Sequence, residues 1–490
     1  MLRVCSTFVA GLIVGLSPIA AATPFPPEPS VSSSPASPKF CPADLQERVN
    51  DYLQRPDFAP GQWGIFIQPL GAKTPLFAYQ AEKLFIPAST QKLLTTAIAL
   101  DHLGPNFRFQ TAVYAAPSPR QPHRLNTLQV IASGDPTLQP QDLDVIATTL
   151  RQQGIKDIQQ LQLVDQIPPE QYHRPSWEWD DLQYYYAPAV NQGILSDNQV
   201  TLILTPQAVG EPLAVNWSEA IAASQWQVIN QTRTVVDPQR PIQIQQNRWQ
   251  RTLTIQGELA PEAKADRTGL AIPDPAQYFL DRLKHTLNQQ GIAVHGLQRQ
   301  HQASPVSTEP LVTLQSPPLS DIITTINQNS DNLYAEAVFN HLLQLETDPA
   351  VWTKYLQTLG IPDTPLRIKD GSGLSRQNLV SPHTLVQLLS ALAASPDGSF
   401  YLASLPVAGE SGTLKNRFQD SPLVGRVRAK TGTLTGVVTL AGFTSDTALG
   451  TLVFSIMVNN SDLAASVLRE AMDQMVLWSA QVEPCGEERR

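Results

Sequence analysis

Phe85-Ile86-Pro87-Ala88-Ser89-Thr90-Gln91-Lys92-Leu93-Leu94-Thr95-Thr96-Ala97 is the stretch on which the reading of this chain turns. It reads as a strand end, a Pro-Ala entry and an apolar helix. Ser89 and Lys92 stand three apart, and residues i and i+3 are neighbours on one helix face. Lys92 can therefore reach the Ser89 hydroxyl and take its proton, provided burial or a nearby cation keeps the amine neutral. Nowhere else does a lysine follow a serine by three positions. The plain alternative is a first-turn serine beside a solvated lysine, so the pair gains weight only from the rest of the chain.

Just before it, residues 63–68 and 75–79 form two short β-rich runs around a turn, the pattern of a hairpin. Residues 41–54 suit an amphipathic helix. Far downstream, 424–434, 437–444 and 451–459 are three strand-like runs. A last helix follows, with Leu463, Val467, Ala471 and Met475 at four-residue spacing. Two strands from the beginning and three from the end predict one five-stranded antiparallel sheet whose terminal helices pack together, a fold of the α/β (α+β) class. Between them the texture changes to Gln- and Pro-rich sequence with short strand runs such as 127–131, 199–204 and 251–257 and a helix over 140–153. This predicts a domain built from 41–110 and 305–490, interrupted by an insertion over 111–304. The insertion reads as two β-containing modules, an outer one (111–138 and 197–304) and a nested one (139–196).

The first 22 residues read as an export signal: Arg3, a mostly apolar run over 9–19, and Ala20-Ala21-Ala22 as cleavage site. That run is too short and too interrupted by Gly and Pro to span a membrane well. Residues 23–40 are a Pro/Ser-rich leader. No second long apolar segment follows, so the expectation is an exported protein without a stable membrane anchor, in a periplasm. A net charge of −9 with no basic run argues against nucleic acid as a partner. The eight histidines show no metal-ligand spacing such as HExxH, and neither metal nor cofactor is expected. Cys5 lies in the signal, leaving Cys41 and Cys485 near opposite ends. In an oxidising compartment they can form one disulfide closing nearly the whole chain, or stand as two unrelated thiols.

Lys430-Thr431-Gly432-Thr433 lies on the first of the late strands. Glycine there lets another backbone approach the strand; Lys430 supplies a cation, and the two hydroxyls can bind a carboxylate. It can also be a plain strand edge. Ser-Asp-Asn occurs twice. Ser196-Asp197-Asn198 runs straight into a strand and reads as turn chemistry. Ser330-Asp331-Asn332 opens a helix and can project a hydroxyl and an amide beside Ser89, so Ser330 and Asn332 are the functional candidates.

SxxK, SxN and KTG in that order are the motif set of penicillin-binding proteins and class A β-lactamases. The wider text resembles one subgroup, the penicillin-binding protein 4 type of D-alanyl-D-alanine carboxypeptidase/endopeptidase, peptidase family S13. The resemblance rests on 85–100 followed by Leu103-Gly104-Pro105, and on Ser133-Gly134-Asp135-Pro136-Thr137-Leu138, Trp177-Glu178-Trp179-Asp180-Asp181, Asp370-Gly371-Ser372-Gly373-Leu374-Ser375-Arg376 and Val407-Ala408-Gly409-Glu410-Ser411-Gly412-Thr413-Leu414. It implies a serine β-lactamase/transpeptidase-like fold and peptidoglycan stem peptides as substrate, with β-lactams as covalent inhibitors.

Ser89 would attack the carbonyl between two D-alanines, giving an acyl-enzyme that water hydrolyses. Lys92 would be the general base, kept neutral by desolvation and by nearby Lys430 and Asn332, and Ser330 would relay the proton to the leaving amine. The resemblance further implies an oxyanion hole from the backbone N–H groups of Ser89 and Thr433, and Lys430, Thr431, Gly432 and Thr433 around the terminal carboxylate. Arg376 would meet a carboxylate at the end of the stem side chain, with Asp180 meeting its amino group and Trp177 and Tyr185 covering its methylenes. Alternatively Arg376 is a surface arginine and the aromatics pack a domain seam. Asp135 and the 370–373 loop read as turn makers. A serine β-lactamase and a catalytically silent wall-binding scaffold are the competing readings. Carboxypeptidase and endopeptidase action share one acyl-enzyme and are not separated by sequence, nor is the oligomeric state.

Overall fold

The computed structural model describes residues 40–248, 250–303, 307–345, 351–361 and 365–484. The expected signal (1–22), almost all of the 23–40 leader, and Cys485 lie outside the described residues. The chain begins with helix α1 (Pro42–Leu53), which starts cleanly because proline occupies its first turn and the Asp44 carboxylate accepts the Cys41 N–H at 2.9 Å. Strands β1 (Gln62–Pro69) and β2 (Phe77–Tyr79) follow, then helix α2 (Gln91–Leu103).

The insertion contributes β3 (Gln110–Ser118), β4 (Gln121–Ala132), α3 (Leu143–Gln152), β5 (Asp157–Val164), β6 (Gln199–Thr205), β7 (Ala214–Trp217), α4 (Ala220–Ala223), β8 (Gln227–Thr234), β9 (Gln243–Asn247), β10 (Thr252–Leu259), β11 (Asp266–Ala271), α5 (Pro275–Gln289), β12 (Ala293–Gln300) and β13 (Val312–Gln315). After it come helices α6 (Leu319–Asn329), α7 (Asn332–Leu345), α8 (Val351–Thr358), α9 (Pro382–Ala394) and α10 (Gly398–Ala403). Strands β14 (Val427–Leu434), β15 (Val437–Thr447), β16 (Gly450–Asn459) and helix α11 (Ala465–Ala480) complete the chain.

The predicted sheet is there. Its order is β14-β15-β16-β1-β2, all neighbours antiparallel, with Ile65 opposite Ile456 and Lys430 opposite Ala441. Both faces are covered, and side-chain alternation assigns them. Trp63, Ile65 and Ile67 of β1, with Phe454, Ile456 and Val458 of β16, pack beneath α1 and α11. Phe66, Val453 and Met457 face a second core built on α2, α6, α7 and α9. Tyr52 of α1 meets Trp478 of α11 edge-on at 5.2 Å between centroids, and a bridge pairs Phe40 with Val482. The first and last helices, α1 and α11, therefore lie together. Cys41 is disulfide-bonded.

The insertion differs from its expected layout. Its main sheet has the order β12-β5-β4-β3-β13, and two three-stranded sheets, β8-β10-β9 and β11-β6-β7, lie within the 199–271 segment. The nested unit is thus carried by 199–271, not by 139–196, since β5 pairs in parallel with both β4 and β12. The sheet closes only at β13, which pairs with β3, so the return to the first domain falls after residue 315. Sequence separation misled here: parallel partners β4 and β5 are joined through α3, and a crossover looks like a module boundary on paper. Val113, Leu161, Leu202, Leu253 and Leu283 belong to one core, so the two units share a hydrophobic interior.

Candidate active site

Ser89 sits in a short 3-10 turn (Ala88–Thr90) that leads directly into α2. One turn on, Lys92 is fully buried, and three groups surround its amine. The Nζ lies 3.0 Å from Ser89 Oγ, 2.6 Å from Asn332 Oδ1 and 2.6 Å from the Ser372 carbonyl oxygen. The last two oxygens only accept hydrogen bonds. Asn332 cannot turn its amide around, because its Nδ2 donates to the Tyr186 carbonyl at 2.6 Å. A neutral Lys92 amine therefore spends its two protons on fixed acceptors and aims its lone pair at the Ser89 hydroxyl.

Burial lowers the Lys92 pKa to about 8, against the pull of the Asp370, Asp331 and Glu336 carboxylates, which raise it. Desolvation is thus the effect that matters, as expected. Lys430 is affected more strongly: burial first, and the Lys92 charge second, hold it well below the ordinary lysine range. The repulsion between the two buried amines is mutual, so a charge on either one disfavours a charge on the other.

The Ser372 carbonyl is held by a cage. Both Gly371 N–H and Ser372 N–H donate to Glu336 Oε1 at 2.8 Å, and Glu336 is paired through Oε2 with Arg174 at 3.0 Å. Asp370 accepts from the N–H groups of Gly373 and Ser375, from Asn378 Nδ2 and from Trp177 Nε1. Gly373, at φ +84°, passes so close to the nucleophile turn that a Cβ there would lie 1.9 Å from the Ala88 carbonyl oxygen. Asp370 thus ties the loop together, and the loop presents the Ser372 carbonyl to the Lys92 amine.

Ser330 caps α6 in the left-handed region (φ 57°, ψ 36°), which turns its hydroxyl into the cleft beside Ser89. Lys430 Nζ donates to Ser330 Oγ at 2.8 Å and to the Thr431 carbonyl at 2.9 Å. Strand β14 is the sheet edge, and Gly432 is where it passes the nucleophile. A Cβ on Gly432 would sit 2.2 Å from Thr439 Oγ1 and 2.8 Å from the Ser89 backbone nitrogen. Thr433 follows, facing the cleft. The three motifs thus converge on one hydroxyl.

The outlying candidates divide. Arg376 and Tyr185 line a hollow of about 330 Å³ that opens onto Ser89 and Ser330. Trp177 does not: it is buried among Leu182, Ala187, Leu333 and Leu374, its indole tied to Asp370. Asp180 faces a separate hollow with Gln183, Gln245 and Arg248. The carboxylates that do line the Arg376 hollow are Glu178 and Asp181, because the short helical turn Trp179–Gln183 rotates Asp180 away. Glu178 Oε1 already meets Arg376 Nε at 2.8 Å, while Arg376 Nη2 donates to the Thr435 carbonyl at 2.7 Å. Sequence reasoning also missed Tyr186, whose carbonyl orients Asn332, and Arg469 of α11, whose Nη2 donates to Thr433 Oγ1 at 3.1 Å. The first Ser-Asp-Asn copy has left-handed φ at all three residues and opens β6 as a turn.

Comparison with known proteins settles the kinship. The family model "D-Ala-D-Ala carboxypeptidase 3 (S13) family" matches residues 45–482. The chain belongs to that family. It is a serine hydrolase of the D-Ala-D-Ala carboxypeptidase type, on the β-lactamase/transpeptidase-like fold. A D-alanyl-D-alanine carboxypeptidase of Actinomadura sp. is 29% identical over 439 residues, covering 85% of this chain and 81% of that one. The crystal structure of penicillin binding protein 4 from Haemophilus influenzae superposes with a TM-score of 0.76 at 25% identity, covering 88% of this chain and 98% of the other. A second structure of that protein, complexed with a β-lactam, gives a TM-score of 0.71 at 25% identity over 87% and 97% of the two chains. Among the described residues of this S13 protein, no helix is long and apolar enough to cross a membrane.

Proposed function

We propose that this S13 protein removes the terminal D-alanine from peptidoglycan stem peptides, and opens cross-links that present the same D-alanyl carbonyl, through an ester on Ser89. The observation that carries the reading is the Lys92 amine fixed by two obligate acceptors with Ser89 Oγ 3.0 Å away. Lys92 accepts the Ser89 proton as the hydroxyl attacks. The backbone N–H groups of Ser89 and Thr433, brought together by the Gly432 approach, stabilise the oxyanion, a contribution of about 3 kcal/mol per donor in comparable enzymes. Ser330, bonded to Lys430, passes a proton to the leaving amine. Thr431 and Thr433 bind the carboxylate of the leaving residue. The hollow lined by Arg376, Glu178, Asp181 and Tyr185 takes the stem side chain.

β-Lactams would acylate the same serine and be released slowly. The leader sequence supports action outside the cytoplasm, in a periplasm, with one disulfide between Cys41 and Cys485. Incubation with pentapeptide monomers and cross-linked muropeptide dimers, with products weighed by mass spectrometry, tests the reading. Loss of D-alanine or conversion of dimer to monomer, absent in Ser89→Ala, is expected. No product from either substrate rejects it, and many turnovers of a chromogenic cephalosporin would make the protein a β-lactamase instead.

A further inference from the structure

Two hollows meet at the nucleophile. The smaller leads toward Arg376 on the acyl side. The larger, about 980 Å³, shares Ser89, Ser330 and Thr433 with it and runs the other way, past Thr431 and Gly432, between the 413–421 segment and α11. Because Thr431 and Thr433 lie along this second groove, it is the side on which the leaving residue and its carboxylate must sit.

A carboxylate taken from water needs a cation. Lys430 is turned away from this task. It is fully buried, and its Nζ is committed to Ser330 Oγ and the Thr431 carbonyl, on the proton-transfer side of the cleft. Arg469 is placed differently. It lies on α11 at the flank of the buried face that Leu468 and Met472 form, is partly exposed, and lines the groove. Its Nη2 donates to Thr433 Oγ1 at 3.1 Å. Among the described residues no carboxylate stands within the 4.0 Å of an ion pair with it, whereas its neighbour Arg417 is paired with Asp473 through both Nε and Nη2. Glu470 and Asp473 line the same groove and the Arg469 charge acts on the Asp473 carboxyl, yet without a carboxylate in ion-pair contact its guanidinium still has N–H groups to offer an anion.

We propose that Arg469 supplies the positive charge for the carboxylate of the leaving residue, with the Thr433 hydroxyl beside it, while Lys430 serves the proton network through Ser330. The inference rests on the proposed roles of Ser89 and Thr433. A guanidinium keeps further N–H groups free after bonding one hydroxyl, and these suit a carboxylate in two-point contact. The sequence offered no sign of this, since Arg469 is one charged residue on the polar side of an amphipathic helix.

The test compares an acyl-D-Ala-D-Ala peptide with its C-terminal amide, and benzylpenicillin with its methyl ester, on wild type, Arg469→Gln and Arg469→Lys. Arg469→Gln should lower kcat/KM and the acylation rate for the free acids by about 10- to 100-fold, the worth of a hydrogen bond to a charged group. The amide and the ester should change less than about threefold, and Arg469→Lys should recover part of the loss. An equal fall for acid and neutral forms would reduce Arg469 to a structural role, and an unchanged acid preference would also overturn the proposal. If wild type itself formed no penicillin adduct, the reading of Ser89 would have failed rather than that of Arg469 alone.

Discussion

If Lys92 is the base, acylation must follow the neutral fraction of its amine. A pKa of about 8 leaves roughly one molecule in eleven neutral at pH 7 and one in a hundred at pH 6. The second-order rate of acylation by a fluorescent penicillin should therefore rise about ninefold from pH 6 to 7 and about fivefold from 7 to 8, then level off. The sign can be checked independently. Glu336 raises the Lys92 pKa, and Glu336→Gln keeps an oxygen for the Gly371 and Ser372 N–H groups while removing the charge. The lysine should then lose its proton more easily, shifting the profile to lower pH and quickening acylation at pH 6.5. Lys92→Met should cost 10²- to 10⁴-fold, the usual worth of a positioned base. Stopped-flow fluorescence under single-turnover conditions reads all three. A flat profile between pH 6 and 8, or a Lys92→Met enzyme acylated within tenfold of wild type, would refute the assignment.

Other expectations follow from particular contacts. Gly432→Ala forces a methyl group against Thr439 Oγ1 and the Ser89 nitrogen; it should slow acylation more than tenfold and destabilise by roughly 1–3 kcal/mol, read by penicillin labelling and chemical denaturation. Asp180 faces away from the cleft, so Asp180→Ala should leave turnover of a diaminopimelate-bearing peptide within twofold, whereas Glu178→Gln, by releasing Arg376, should raise kcat/KM for side chains ending in a carboxylate relative to those ending in an amine. Trp177→Phe removes the indole bond to Asp370 and should lower stability by about 1–3 kcal/mol with little effect on KM.

The catalytic domain was legible because its elements advertise themselves locally: alternating apolar strands, a four-residue apolar spacing in α11, and motifs that occupy strand edge and helix start. The five-stranded sheet follows from these. The insertion was not legible in detail, because parallel pairing of β4, β5 and β12 leaves no mark on any one segment. Within the site, Ser89, Lys92, Ser330, Asn332 and Lys430 were read from motif order, and the structure brings them together. The stem-side-chain subsite was read less well, since a one-residue rotation of the turn Trp179–Gln183 exchanges Asp181 for Asp180 at the hollow. Trp177 shows the same limit: a conspicuous aromatic serves the loop that holds Ser372, through Asp370, and not the ligand.

The most direct measurement is the site of covalent modification. Wild-type protein and Ser89→Ala are incubated with benzylpenicillin, digested and mapped by mass spectrometry. One penicilloyl group on the peptide that carries Ser89, absent from the variant, is the predicted result; an adduct on another residue, or none on wild type, would contradict the account.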